Sequence, residues 1–330
     1  MAHYLAVDLG GTKTLLQICN AQGEVQIKQN LASSEFASFD ELLAHFLILA
    51  GPAGESLDIA CIAVAGPVTG IQARVTKLPW LLEAEKLSAR FNIGQVILCN
   101  DFEAVGYGIE CLAEQDLEVL QAGEPVMSAP RAVIGAGTGL GQAILMPQQN
   151  RWHVLPTEGG HVDFAPADQR QSLLLEHLTE RFGHVSYDRI VCGSGLNILY
   201  HFIRDYEQWE ENPQLRIAMM EHDPAGAISE YALQYGDPLA SEALDLFVSI
   251  YGAQAGNLAL NCLPRAGLYL AGGIAAKNME RFQNEVFMDA FLKKGRMRYL
   301  MEQIPVYIVL QPEVGLMGAD LLARKALYNN

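Results

Sequence analysis

Two stretches of the sequence place glycines, a threonine and flanking polar groups directly after an apolar run, a composition suited to holding phosphate. The first is Asp8-Leu9-Gly10-Gly11-Thr12-Lys13, which follows Val7. Adjacent glycines permit positive φ, and without side chains they let backbone N–H groups approach an anion closely. Asp8 can hold a hydrated Mg²⁺ on bound phosphates, Thr12 offers a hydroxyl, and Lys13 offers a charge to a transferred phosphoryl group. The same residues also make an ordinary hairpin turn with an exposed lysine. The second stretch is Gly135-Ala136-Gly137-Thr138-Gly139-Leu140-Gly141. It is no Rossmann fingerprint, because Leu140 stands where the third glycine belongs and the residues after it alternate like a strand. No G-x-x-x-x-G-K-[ST] occurs, which excludes a P-loop.

Three further groups carry polar chemistry. Asn100-Asp101 ends a strand-like run just before a helical one. Asn and Asp are favoured N-caps, and Asp101 on its own reads as a cap. Ligands of open α/β sheets sit at the carboxyl ends of strands, and phosphoryl transfer to an alcohol needs a carboxylate near the attacking hydroxyl. Glu158-Gly159-Gly160-His161 sets a carboxylate and an imidazole around a tight turn, an acceptor and donor mix that suits a polyol or a polar surface loop. His153 and Asp163 are near in sequence, but the spacing is not that of a zinc site. Asp188 reads as a third sugar contact or a helix cap, with the cap favoured from the residues alone. Gly272-Gly273 either lets a flat base lie against backbone or makes a simple turn.

These groups need elements to position them, and the coarse pattern alternates strand and helix. Strands are predicted at 4–9, 14–19, 24–30, 57–65, 95–99, 131–134, 142–146, 152–155, 266–271 and 304–310. Helices are predicted at about 38–50, with Ser38 and Glu41 as a capping box, and at 81–91, 102–111, 169–182, 194–209, 238–262 and 315–327. Asp237-Pro238 supplies an N-cap and a first helical residue. A composition shift at 124–130 marks a candidate boundary. Residues 6–18 and 132–145 share one plan of apolar strand, Gly/Thr turn and second strand, so two related halves are expected to put both turns at one cleft.

Bulk properties set limits. A chain of 330 residues is comfortable for two domains, and half of them are hydrophobic. The formal net charge of −16 argues against nucleic acid and anionic membrane as partners. Six cysteines without a C-x-x-C spacing read as reduced core residues of a cytoplasmic protein. The first strand begins at Tyr4, leaving no room for a signal peptide, and no apolar stretch is long enough to cross a bilayer.

Taken together, the two Gly/Thr turns, Asn100-Asp101, the 158–161 segment, the run at 270–274 and the closing 311–318 segment resemble the bacterial glucokinases, of the non-ROK type, over nearly the whole chain. The resemblance implies an α/β, two-domain actin-like ATPase (ribonuclease H-like) sugar kinase fold with an interdomain cleft. It implies a smaller domain of residues 1–111 plus about 312–330, with the first phosphate turn and the catalytic aspartate. A larger domain of 112–311 would carry the second phosphate loop, the sugar contacts and the adenosine site. Asp101 would be the base for the glucose 6-hydroxyl. Asn100, Glu158, His161 and Asp188 would join it around the sugar. Val7, Asp8, Leu9, Gly10, Gly11 and Thr12 would cradle ATP phosphates with Gly137, Thr138 and Gly139, and Gly272 and Gly273 would flank adenosine.

The implied reaction is ATP-dependent formation of glucose 6-phosphate, with Mg²⁺ carried by ATP near Asp8, in a cytoplasmic homodimer. Two positions depart from the family. Lys13 stands where Asn is common, and Asp188 stands where a family Glu reaches the sugar, one methylene shorter. No Cys-rich motif of the ROK type follows His161, so no structural zinc is expected. The rival readings are a kinase for mannose, fructose or an amino sugar, a sugar-sensing regulator, and an actin-like or chaperone-like ATPase.

Overall fold

The computed structural model describes residues 3–149 and 151–329. The chain divides into two compact units, Met1–Glu114 with Gln311–Asn330, and Gln115–Leu310. The division falls ahead of the composition shift at 124–130, because a strand at Leu117–Gln121 already belongs to the second unit's sheet.

The first unit opens with β1 (His3–Leu9), β2 (Lys13–Asn20) and β3 (Val25–Ala32), followed by α1 (Phe39–Ala50) and β4 (Leu57–Val64). Three short strands, β5 (Val68–Thr69), β6 (Gln72–Arg74) and β7 (Leu81–Glu83), form a small sheet of their own. Then come α2 (Ala84–Phe91), β8 (Ile93–Asn100) and α3 (Asp101–Gly108). The main sheet runs β3-β2-β1-β4-β8, with β1, β4 and β8 parallel and β1 to β3 antiparallel.

The second unit holds β9 (Leu117–Gln121), β10 (Arg131–Ala136), β11 (Leu140–Gln148) and β12 (Arg151–Thr157). Helices α4 (Gln169–Phe182), α5 (Tyr187–Ile190), α6 (Gly193–Tyr206), α7 (Pro213–Glu221), α8 (Pro224–Gln234) and α9 (Pro238–Cys262) follow. After β13 (Leu268–Ala271) come α10 (Gly273–Lys277), α11 (Met279–Gln283), α12 (Glu285–Leu292), α13 (Arg298–Met301) and β14 (Val306–Val309). Helix α14 (Val314–Asn329) returns the chain to the first unit. The second sheet runs β12-β11-β10-β13-β14-β9. Its first five strands repeat the order of the first sheet, so the short likeness between residues 6–18 and 132–145 extends to a shared topology. Strand β9 is an added antiparallel edge.

Burial explains the strand sequences. Leu5, Val7 and Leu9 of β1 face Leu42, Leu43 and Phe46 of α1 in one cluster. The alternate residues Tyr4 and Ala6 share a second cluster with Ala104 of α3 and Leu316, Ala319 and Ala323 of α14. A strand covered on both faces reads as a continuous apolar run. Helix α3 lies against α14 so closely that a Cβ on Gly318 would meet the Ala104 carbonyl oxygen at 1.7 Å. In the second unit α9 buries residues all round its circumference, as a core helix does.

Several expectations need correction. Residues 81–83 are strand, not helix, because Leu82 pairs with Ala73 and is buried. Helix α3 starts one residue early and passes into a 3₁₀ turn at Ile109–Cys111. The second glycine turn is only residues 137–139, since Gly135 pairs with Gly141 and Ala136 with Leu140. Ser38 does accept from the Glu41 amide at 3.2 Å, but the Glu41 carboxylate takes the Ala37 amide rather than that of Ser38. Helices α7 and α8 are additional. Four cysteines are buried and two, Cys111 and Cys262, are half-buried, and all six are free.

Candidate active site

Parallel pairing fixes the candidate residues of the first unit at one edge of its sheet. Leu9 of β1 is level with Val64 of β4, which is level with Asn100 of β8. The Gly10–Thr12 turn and Asp101 therefore lie just beyond the carboxyl ends of neighbouring parallel strands, where α/β sheets bind ligands.

Gly10 and Gly11 are not in the positive-φ region. They are required for close approach: a Cβ on Gly10 would stand 2.9 Å from the Lys13 carbonyl oxygen, and one on Gly11 would stand 2.8 Å from Cβ of Lys77. Ser33 anchors the turn. Its amide donates to the Thr12 carbonyl at 3.0 Å and its hydroxyl to the Gly10 carbonyl at 2.9 Å. Thr12 and Lys13 are exposed, whereas Val7 and Leu9 are core residues. Asp8 is half-buried, and a Cβ on Gly315 in the first turn of α14 would stand 2.8 Å from its Oδ2. Burial raises the Asp8 carboxyl to about 6 against the opposing pull of Lys13.

Asn100, not Asp101, caps α3. Its Oδ1 accepts the Phe102 amide at 2.9 Å and the Glu103 amide at 3.3 Å, while its Nδ2 donates to the Gly66 carbonyl at 3.2 Å. Asp101 is the first helical residue, and its Oδ1 accepts the Phe102 amide at 2.9 Å. The helix N-terminus orients this carboxylate and favours negative charge there.

In the second unit the candidates converge on the β10–β11 hairpin. The turn is closed by Gly137 N–H donating to the Gly139 carbonyl at 2.9 Å. Asp188 is not a cap, since Ser186 accepts the Arg189 amide and caps α5. Instead Asp188 Oδ1 accepts the Leu140 amide at 2.7 Å, and a Cβ on Gly139 would stand 2.7 Å from that oxygen. On the other side of Leu140, a Cβ on Gly160 would meet the Leu140 carbonyl oxygen at 2.0 Å. One on Gly159 would meet Gln142 Oε1 at 2.4 Å. The paired glycines thus let the 158–161 segment lie flat on β11.

Glu158 and His161 project from that segment, with side-chain exposures of 69% and 61% and 3.9 Å between Oε2 and Nε2, which leaves both open to a ligand. Gly272 adopts φ +82 at the end of β13, and a Cβ there would stand 2.5 Å from the Ala136 carbonyl oxygen. Gly272 and Gly273 are therefore beside the Gly137–Gly139 turn. No cluster of three or more His, Cys, Asp or Glu side chains suited to a metal occurs among the described residues.

Sequence reasoning overlooked Ser33, Gly66, Gln142 and Gly315. Only Gly66 had a visible signal, a glycine-proline pair ending a strand.

Twin sheets sharing one five-strand order, each with a glycine turn in a hairpin, β1–β2 or β10–β11, define the actin-like ATPase fold in its sugar-kinase form. The glucokinase family model matches residues 5–326, and the chain belongs to that family. The glucokinase of Nostoc punctiforme is 44% identical, covering 98% of this chain and all of its own. A glucokinase from an Antarctic psychrotroph superposes with a TM-score of 0.81 at 28% identity, covering 98% of this chain and 99% of that one. The glucokinase of Balamuthia mandrillaris, solved in complex with glucose, gives a TM-score of 0.83 at 25% identity, covering 98% and 94%.

Proposed function

We propose that this protein transfers the γ-phosphoryl group of ATP to the 6-hydroxyl of glucose, giving glucose 6-phosphate and ADP. Family membership supports the reaction. The observation that supports the mechanism is that Asp101 is the first residue of α3, its carboxylate oriented at the helix N-terminus and level with the Gly10–Thr12 turn at the sheet edge. Asp101 orients the 6-hydroxyl and accepts its proton as the oxygen attacks phosphorus in line. The proton goes to the carboxylate and the phosphorus–oxygen bond to ADP breaks. Little covalent work falls to the protein in such a transfer, so positioning and charge stabilisation carry the rate.

The other roles follow chemistry. Asn100, Glu158 and His161 hold sugar hydroxyls. Asp188 holds the hairpin turn through Oδ1 and reaches the sugar through its second oxygen. Backbone N–H groups at 10–12 and 137–139 receive phosphates, with the Thr12 and Thr138 hydroxyls, and Gly272-Gly273 lies along adenosine. Asp8, a lone carboxylate with a raised pKa, fits a Mg²⁺ held mainly by phosphates and water rather than an all-protein cage. When bound, that ion would neutralise charge on the phosphates. The first unit thereby holds the base and one phosphate turn, and the second holds the sugar contacts, the other turn and the adenosine site.

A cytoplasmic homodimer completes the reading. Six free cysteines support the compartment, and the family resemblance supports the dimer. No described helix is long and apolar enough to cross a membrane. Coupled ATP turnover across a hexose panel tests the substrate. Glucose should give the highest kcat/KM, and preference for mannose, fructose or an amino sugar would overturn the assignment.

A further inference from the structure

Behind the 158–161 segment runs a line of polar side chains that the proposed chemistry does not use. Lys294 lies just beyond α12, with its stem against Gly256 of α9. A Cβ on Gly256 would stand 2.5 Å from Lys294 Cε. The ammonium donates to the Ala253 carbonyl at 2.8 Å and to Asn257 Oδ1 at 2.6 Å. Asn257 Nδ2 donates in turn to Gln254 Oε1 at 3.2 Å and to the Tyr187 hydroxyl at 3.1 Å. Gln254, itself buried, donates from Nε2 to the Gly159 carbonyl at 3.3 Å.

The direction of this line follows from its first member. An ammonium has three donors and no acceptor, so it fixes the oxygen of Asn257 toward itself. The Asn257 amide nitrogen must then face Gln254 and Tyr187. Gln254 receives with its oxygen and is left with its N–H groups toward Gly159. A neutral apolar side chain at 294 would remove that constraint, and either amide could then reverse. Two segments hang on the one asparagine: Gly159, between Glu158 and His161, and Tyr187, the neighbour of Asp188. Burial lowers Lys294 to about 8, so the ammonium form still prevails at neutral pH.

We propose that Lys294 is a positioning residue for sugar binding, acting through Asn257 and Gln254 on the Gly159 carbonyl. The inference rests on the reading of Glu158 and His161 as sugar contacts. It is tested with Lys294→Met, Gln254→Met and the double variant, assayed for KM of glucose, KM of ATP, kcat and Tm, with Glu158→Ala beside them. Each single variant should raise the glucose KM on the order of tenfold, with kcat and the ATP KM within about twofold. The double variant should be no worse than the more severe single, because both interrupt one line.

An unchanged glucose KM in Lys294→Met, or multiplied effects in the double variant, would overturn the proposal. So would a joint fall of kcat, both affinities and Tm, which marks a merely structural lysine. Gln254→Met keeps the lysine and reads the line even where Lys294→Met fails to fold. An unchanged glucose KM in Glu158→Ala would instead overturn the sugar assignment, and the role of Lys294 with it.

Discussion

The Asp188 carboxylate accepts the backbone amide of Leu140 at 2.7 Å, and this bond fastens the start of α5 to the β10–β11 hairpin. Leu140 is also the residue whose carbonyl abuts Gly160. The second glycine turn, the 158–161 segment and Asp188 are thus coupled through a single backbone position.

Asp188→Ala should therefore act on the turn as well as on the sugar. Removing a charged acceptor from a part-buried amide costs about 1–3 kcal/mol. Tm should fall by a few degrees, and the KM values of both ATP and glucose should rise. Asp188→Asn retains an acceptor oxygen and should stay near wild type in Tm. Differential scanning calorimetry with initial-rate kinetics checks both variants.

Gly159 and Gly160 should differ in tolerance. A Cβ on Gly160 meets a backbone carbonyl at 2.0 Å, whereas one on Gly159 meets the end of a glutamine side chain at 2.4 Å, which can move. Gly160→Ala should raise the glucose KM by roughly tenfold or more, a loss of about 1.4 kcal/mol or more in binding. Gly159→Ala should have the smaller effect. Equal effects would show that the fit of this segment on β11 is not what sets sugar affinity.

Asp8 predicts a pH-dependent gain in stability on neutralisation. Its folded pKa of about 6 lies above the ordinary carboxylate value of 3.8. Between these values the folded state holds more protons than the unfolded one, so the contribution of Asp8 to stability falls as pH rises through the window. Above it, the fold carries a desolvated charge. Asp8→Asn should raise Tm at pH 7.5 and do so less at pH 5, where the wild-type carboxyl is largely protonated. The same variant should lose much of its Mg·ATP-dependent turnover. Thermal melts at the two pH values settle the sign.

Much of this architecture is legible in the residues. Val7 and Leu9 on one face of β1, and Tyr4 and Ala6 on the other, write a doubly covered strand as a continuous apolar run. Asp237-Pro238 announces α9, and Asp237 accepts the Ala240 amide at 2.9 Å as a cap should. The same signal, an N-cap followed by proline, opens α7 at Asn212-Pro213 and α8 at Asp223-Pro224. Other features have no local signature. Strand β9 exists because β14 offers it an edge, and Leu82 is strand because Ala73 lies opposite. The tie between Asp188 and Leu140 spans 48 residues of sequence, so periodicity and spacing could not show it. Asn100 and Asp101 are both good caps by type, and only the helix start decides that Asn100 takes the amides.

The central claim is that Asp101 accepts the proton of the sugar hydroxyl, and Asp101→Asn tests it most directly. The amide keeps the size and one acceptor oxygen but is no base. Glucose binding measured by calorimetry should stay within a few-fold of wild type, while kcat with Mg·ATP should fall about 10²–10⁴-fold. Near-normal turnover in that variant would contradict the account.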